Sequence, residues 1–471
     1  MKVLLAGYNL DTDVINDLKS HNGLRQDVTP ETLSASYARI SRDPRPIDEL
    51  RQVARGEVEK ARKSNSAIIF KMGHHSIAEH AVFNFDLIGI SRLALEEVEK
   101  FRLCSYTEKS QRYQKLEDDF IVPEEVRDGV SGVRYQGEFA ELIKKQNKFY
   151  HKMVEAGVEP EDARYVTSLA TQGQVGLTVN ARNLEFMLRR FASSELAEIR
   201  LLGQEMYKLV AEIAPSIILF TKANDFDEKT YGEIKGEGCQ VSGVREVEQD
   251  VSLVGYSEDG DEKILVALVH STSRLSYQES LAKVKAMSDK EKKDLIKTCF
   301  KHAEFYDRPQ REFEYADLTY ELVVSAACFA QLKRHRMATL TVQPYDPSLG
   351  VMIPESIKKA GLEEEFKQIT IITDQLFTKL NKDNPLGAQY LLTNAHRRRV
   401  LFKTNVRELY HVSRLREDKH AQRDIQIITS KMSQLAQDVF PVSTMLIGGK
   451  DSYSAIYESV FGKKPKVLPE Y

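Results

Sequence analysis

The segment TNVREL at residues 404–409 repeats VNARNL at residues 179–184, and Asn405 stands 225 residues after Asn180. A second pair keeps the same order upstream. KFRLCS at 100–105 is answered by RHRMAT at 334–339, with Arg334 standing 234 residues after Lys100. Either pair alone is weak, but two ordered pairs at similar spacing signal a duplicated unit with small insertions.

The flanks of these pairs read alike. VLLAGY (3–8) is a first strand, and ILVALVHS (264–271) restarts the second copy in the same way. Residues 49–65 are helical by composition, and HAVFNFDLIG (80–89) alternates as a strand does. LALEEVEKFRL (93–103) reads as a helix that delivers the basic cluster. NLEFMLRRFASSELAEIRLLGQEMYKLVAEIAP (183–215) is one or two long helices ending at Pro215, and the second copy has a matching run ending at Pro441. The stretch 223–262, rich in Gly, Ser and charge, reads as a linker with one strand. The expected architecture is α+β: copy one at 1–222, the linker, and copy two at 263–471, each a mixed sheet with long helices. No G-x-G-x-x-G fingerprint is present, which disfavours a Rossmann flavin site.

Composition bounds the function. The chain has 471 residues, 42% hydrophobic and 29% charged, with a formal net charge of -3. That is ordinary for a globular protein and argues against a bulk polyanion partner such as nucleic acid, though not against a local phosphate pocket. Cys104, Cys239, Cys299 and Cys328 have no metal spacing and are too sparse for a disulfide framework. A reducing cytoplasm fits them. The N-terminal apolar run is too short for a signal peptide, and no run approaches the length of a membrane span.

The residue types with chemical use cluster around the repeats. After the basic triplet of copy one come Glu108, Ser110, Gln111 and Arg112. Guanidinium with nearby hydroxyl and amide groups is what a phosphate monoester needs. On composition alone, a solvated basic turn is the commoner reading. His74, His75 and His80 lack the HExxH spacing and any completing acid pair, so no metal is expected. The run Arg397-Arg398-Arg399 reads as a surface face or phosphate contact.

These motifs resemble the flavin-dependent thymidylate synthase family. Its signature is Arg-His-Arg, seven residues, then Ser and, two residues on, Arg. Copy one reads Lys100-Phe101-Arg102, then Ser110 and Arg112, preceded by GHHSIAEH (73–80) and followed by Ala163-Arg164-Tyr165. Copy two keeps the triplet as Arg334-His335-Arg336, with Gln331 before it and Asn405, Arg407, His411 and Arg416 after it. Its signature Ser and Arg are replaced by Pro344 and Asp346, and Gln389 stands where copy one has Arg164. An aspartate there repels phosphate and a proline removes a donor.

The resemblance implies reductive methylation of dUMP at C5 to dTMP, with 5,10-methylenetetrahydrofolate, FAD and NADPH. It implies a nucleotide-phosphate half in copy one and a flavin half in copy two. Glu108, Ser110, Gln111, Arg112, Arg164, Gln331 and Arg416 would hold dUMP, with Arg416 catalytic. Arg334, His335, Arg336, Asn405, Arg407, His411 and His74 would hold FAD. Because members of the family share sites between subunits, the implied assembly is a homodimer forming a pseudo-tetramer in the cytoplasm, with no nucleic-acid or membrane partner. The alternatives are a related flavoenzyme acting on another pyrimidine nucleotide, or a non-catalytic paralogue that binds nucleotide or flavin.

Overall fold

The structure is a computed structural model and describes residues 1–20, 28–40, 43–112, 114–127, 132–238, 249–304 and 306–465. Two four-stranded sheets repeat one plan. Strands β1 (Lys2–Tyr8), β2 (Val82–Ser91), β3 (Cys104–Glu108) and β4 (Gln172–Asn180) take the order β1-β2-β4-β3. Strands β5 (Val251–Tyr256), β6 (Asp317–Ser325), β7 (Thr339–Val342) and β8 (Arg397–Asn405) take the order β5-β6-β8-β7. The first strand of each sheet shifts register at a glycine, Gly7 and Gly255. Every ladder is antiparallel, where mixed sheets were expected. Helical excursions separate successive strands, a pattern shared with parallel crossovers, so the sequence left strand direction open.

Eight helices position the chemistry: α1 (Arg92–Val98), α2 (Gly132–Glu155), α3 (Ala181–Ala192), α4 (Ala197–Ala211), α5 (Ala326–Leu332), α6 (Glu363–Asn381), α7 (Val406–Arg416) and α8 (Arg423–Val439). Strands β2, β4, β6 and β8 each pass straight into a helix through a capping side chain. Ser91, Asn180, Ser325 and Asn405 accept from the backbone N–H groups of Ala94, Asn183, Cys328 and Glu408. Such caps satisfy donors that the first helical turn leaves unpaired, each worth about 1 kcal/mol. They fix where a strand ends and where the next helix points.

The chain divides into two compact units that interleave in sequence. The first holds 1–149, 167–243 and 375–391; the second holds 150–166, 244–374 and 392–471. Each unit therefore takes a short segment from the other half of the sequence, and α2 and α6 run through the points of exchange. In the first unit, Phe83, Phe85 and Leu87 of β2 and Val175, Leu177 and Val179 of β4 are buried, joined by Leu188 of α3 and Met206 of α4. In the second, Leu318, Tyr320 and Leu322 of β6 and Val400 and Phe402 of β8 form the matching core with Leu409 and Met432.

Several local expectations are corrected. ILVALVHS lies inside the helix Gly260–Ser271 rather than a strand, and Val251–Tyr256 opens the second sheet instead. A short apolar run is ambiguous by periodicity, and here Asp261 and Glu262 supply an acidic first helical turn. The 223–262 stretch contains the helix Asp225–Gly238 as well as β5, while Cys239 and the rest of 239–248 lie outside the described residues. The helix read at 93–103 ends at Val98, so the basic cluster sits in the turn after it. No described helix is long and apolar enough to cross a membrane.

Candidate active site

In the second unit, a polar chain links residues from both halves of the sequence. Arg164, carried in on the 150–166 segment, donates from Nη2 to Gln422 Oε1 at 2.6 Å. Gln331, on the last turn of α5, donates from Nε2 to the same oxygen at 2.9 Å. The Gln422 amide nitrogen donates to the Glu161 carbonyl at 3.0 Å, and Arg164 Nε donates there at 3.1 Å. Arg416, at the end of α7, donates from Nη2 to the Gln331 carbonyl at 3.2 Å and from Nε to His335 Nε2 at 2.9 Å. Among the described residues the buried Gln331 Oε1 has no hydrogen-bond partner. A buried acceptor left without a donor costs about 1–3 kcal/mol, so it marks a place for a ligand N–H or water.

His335 is nearly fully buried, and burial together with the Arg416 charge lowers its pKa to about 3. Because Nε2 accepts from Arg416, the ring proton resides on Nδ1, 3.6 Å from Glu408 Oε1. A neutral imidazole thus orients Arg416 without neutralising it, as a carboxylate would. His411 packs edge-on to His335 with ring centroids 5.7 Å apart. Burial raises the Glu408 carboxyl and lowers the His411 imidazole, against their mutual attraction. These three residues bring potential metal-ligand atoms within 4.8 Å of one another. The lone pair of His335 Nε2 is already used, and the Arg416 cation adjoins it, so the chemistry of the set opposes a metal. His411 also lines a cavity of about 230 Å³ with Arg308, Tyr410, Arg414 and Tyr453.

The other expected flavin residues of copy two lie in the same unit with different duties. Arg334 and Arg336 are exposed on either side of His335. Asn405 caps α7. Arg407 donates to the Pro309 carbonyl at 2.7 Å and pairs with Glu314 at 2.9 Å. Copy one reproduces both arrangements, since Asn180 caps α3 and Arg182 pairs with Glu79. Asn405 and Arg407 therefore have structural work independent of any ligand. The 397–399 run is also engaged: Arg397 meets Asp250, Arg398 stacks 4.2 Å over Tyr345, and Arg399 faces Glu321.

Glu108, Ser110, Gln111, Arg112 and His74 belong to the first unit. Ser110 Oγ accepts from the Arg112 backbone N–H at 3.2 Å, which closes the turn after β3. Glu108 is not an open binding group: its side chain is buried and pairs with buried Arg92. Burial pulls the Arg92 pKa down, but the charges of Glu108, Glu96 and Glu99 outweigh it and the net direction is upward. His74 is exposed. In the second unit, Asp346 caps a short turn by accepting from the Ser348 N–H.

Comparing the copies position by position shows where they have parted. His335, His411 and Arg416 correspond to Phe101, Phe186 and Phe191. Phe101 sits 5.7 Å from both phenylalanines, edge-on, so a polar trio has become an aromatic one. Gln422, Glu408 and Asp424 have no role in the motif pattern; for Gln422 the signal lies in the comparison of the copies, where it falls opposite Leu196.

The sequence profile described as thymidylate synthase complementing protein matches twice, over residues 24–216 and 252–442. The chain belongs to that family. Its curated relatives include flavin-dependent thymidylate synthases: that of Geobacter sulfurreducens is 35% identical over 190 residues, covering 40% of this chain and 80% of its own length. A UPF0159 protein of Chlamydia muridarum is 22% identical over 420 residues, covering 80% of this chain and 79% of its own. Among solved structures, the thymidylate synthase X of Helicobacter pylori with FAD and dUMP aligns at 18% identity and a TM-score of 0.33, over 47% of this chain and 100% of that one.

Proposed function

We propose that the protein is a flavin-dependent thymidylate synthase, converting dUMP to dTMP by reductive methylation at C5 with 5,10-methylenetetrahydrofolate, FAD and NADPH. The observation that carries the reading is the chain from Arg164 through Gln422 to Gln331 and Arg416, with Gln331 Oε1 left for a ligand donor. The donor set suits a pyrimidine nucleotide. An arginine serves the phosphate, an amide oxygen accepts the imide N–H of uracil, and a second arginine faces a ring carbonyl.

In this reading Arg164 anchors the phosphate. Arg416 is held at Nε and one Nη, which sets the plane of its guanidinium. It stabilises negative charge on uracil as C5 becomes nucleophilic. Neutral His335 keeps that cation at full strength. The residues present also fit a flavin cofactor: Arg334 and Arg336, exposed on either side of His335, suit a diphosphate by their charge, and half-buried His411 offers a ring edge. When bound, reduced flavin supplies the hydride; the protein's residues orient the partners and exclude water. Glu108, tied to Arg92, acts here by shaping the first-copy loop rather than by touching nucleotide. The proposed assembly remains a homodimeric pseudo-tetramer in the cytoplasm.

The test is release of tritium from dUMP labelled at C5, with all three cofactors present. Flavin-dependent release accompanied by dTMP is the expected result. No release from folded, flavin-loaded protein would overturn the reading and turn attention to another pyrimidine nucleotide.

A further inference from the structure

Two buried polar networks lie side by side in the second unit, and the duplication separates them. In the first network Asp424, near the start of α8, accepts from Ser325 Oγ and from Tyr165 OH. The first unit keeps this arrangement: Glu198, near the start of α4, accepts from Ser91 Oγ at 2.7 Å and from Tyr390 OH at 3.0 Å. Burial raises both carboxyls, and the hydroxyls oppose that shift. A network held in both copies is a packing device.

The second network is Arg164, Gln422 and Gln331. Its counterparts in the first unit are Gln389, Leu196 and Glu97, so all three members have changed together. Leu196 and Gln422 occupy the same place, immediately before α4 and α8, and neither side chain caps its helix. Were Gln422 a packing residue like Asp424, two positions along, copy one would be expected to retain it. Instead it departs with the two residues that serve the nucleotide in the reading above.

We infer that Gln422 is a positioning residue that holds Arg164 and Gln331 in register for the nucleotide phosphate and base. Only 1% exposed, it acts through its neighbours. Its amide cannot turn over, because Oε1 faces two donors while the nitrogen faces the Glu161 carbonyl; a flipped amide would set donors against donors. The inference rests on the proposed nucleotide reading.

The test compares dUMP with deoxyuridine by calorimetry on folded, flavin-loaded protein, for wild type, Gln422→Leu and Gln422→Glu. Gln422→Leu should weaken dUMP, which loses both the Arg164 and Gln331 contacts, about tenfold or more, weaken deoxyuridine, which loses only the Gln331 contact, by less, and leave flavin content unchanged. Gln422→Glu keeps an acceptor for both donors but ties up the Arg164 charge, so dUMP should again fall selectively, even in a variant that folds where Gln422→Leu does not. Equal losses for both ligands, or an unchanged dUMP affinity, would overturn the inference while leaving the functional reading standing. Wild-type protein that binds no dUMP would overturn both.

Discussion

Replacing His335 with glutamine should flatten the acid side of the protein's stability profile. The buried imidazole has a pKa of about 3, against 6.5 for the free side chain. Between those values the unfolded chain binds a proton that the folded chain refuses. Stability from this group is therefore fully present above pH 6.5 and is lost as the pH falls towards 3. Going from pH 7 to pH 5, linkage puts the loss at about 2 kcal/mol, or roughly 4–8 °C in midpoint for a domain of this size. Glutamine retains an amide acceptor for Arg416 Nε–H and does not titrate. Urea and thermal unfolding at the two pH values, for wild type and His335→Gln, isolate the effect, because the other titrating groups are common to both proteins. Wild type should lose about 2 kcal/mol more than the variant. Equal losses would refute the argument, and would mean that the imidazole is protonated in the fold and paired with Glu408, 3.6 Å away.

Three further outcomes are expected. Arg416→Ala should lower kcat for tritium release about 10²–10³-fold, the usual result of removing one preorganised donor, with the protein still folded by circular dichroism. Flavin bound per chain, from visible absorbance and protein concentration, should be one rather than two, because Phe101, Phe186 and Phe191 replace the polar trio in copy one; two per chain would show that the aromatic version still binds. Arg92→Met should destabilise the first unit by about 3–5 kcal/mol by stranding buried Glu108. Adding Glu108→Gln should restore most of that loss in urea unfolding, and no restoration would mean that Glu96 and Glu99 dominate the pair.

The duplication, the paired strands and the helices before Pro215 and Pro441 were legible in the sequence because they rest on local pattern: motif order, period-two alternation and breakers. So was the complementary loss of motif residues, since it needs only the two copies laid side by side. The identity of the second copy's first strand was not legible, because a short apolar run fits a buried helix as well as a strand. Nor was the fate of Glu108, whose carboxylate is claimed by Arg92, sixteen residues earlier in the chain. Only the tertiary structure put the 150–166 segment in the second unit and the 375–391 segment in the first. That exchange sets Arg164 against Gln422, 258 positions away. Sequence spacing carries no signal for such a contact, because burial and hydrogen bonding choose its partners across the fold rather than along the chain.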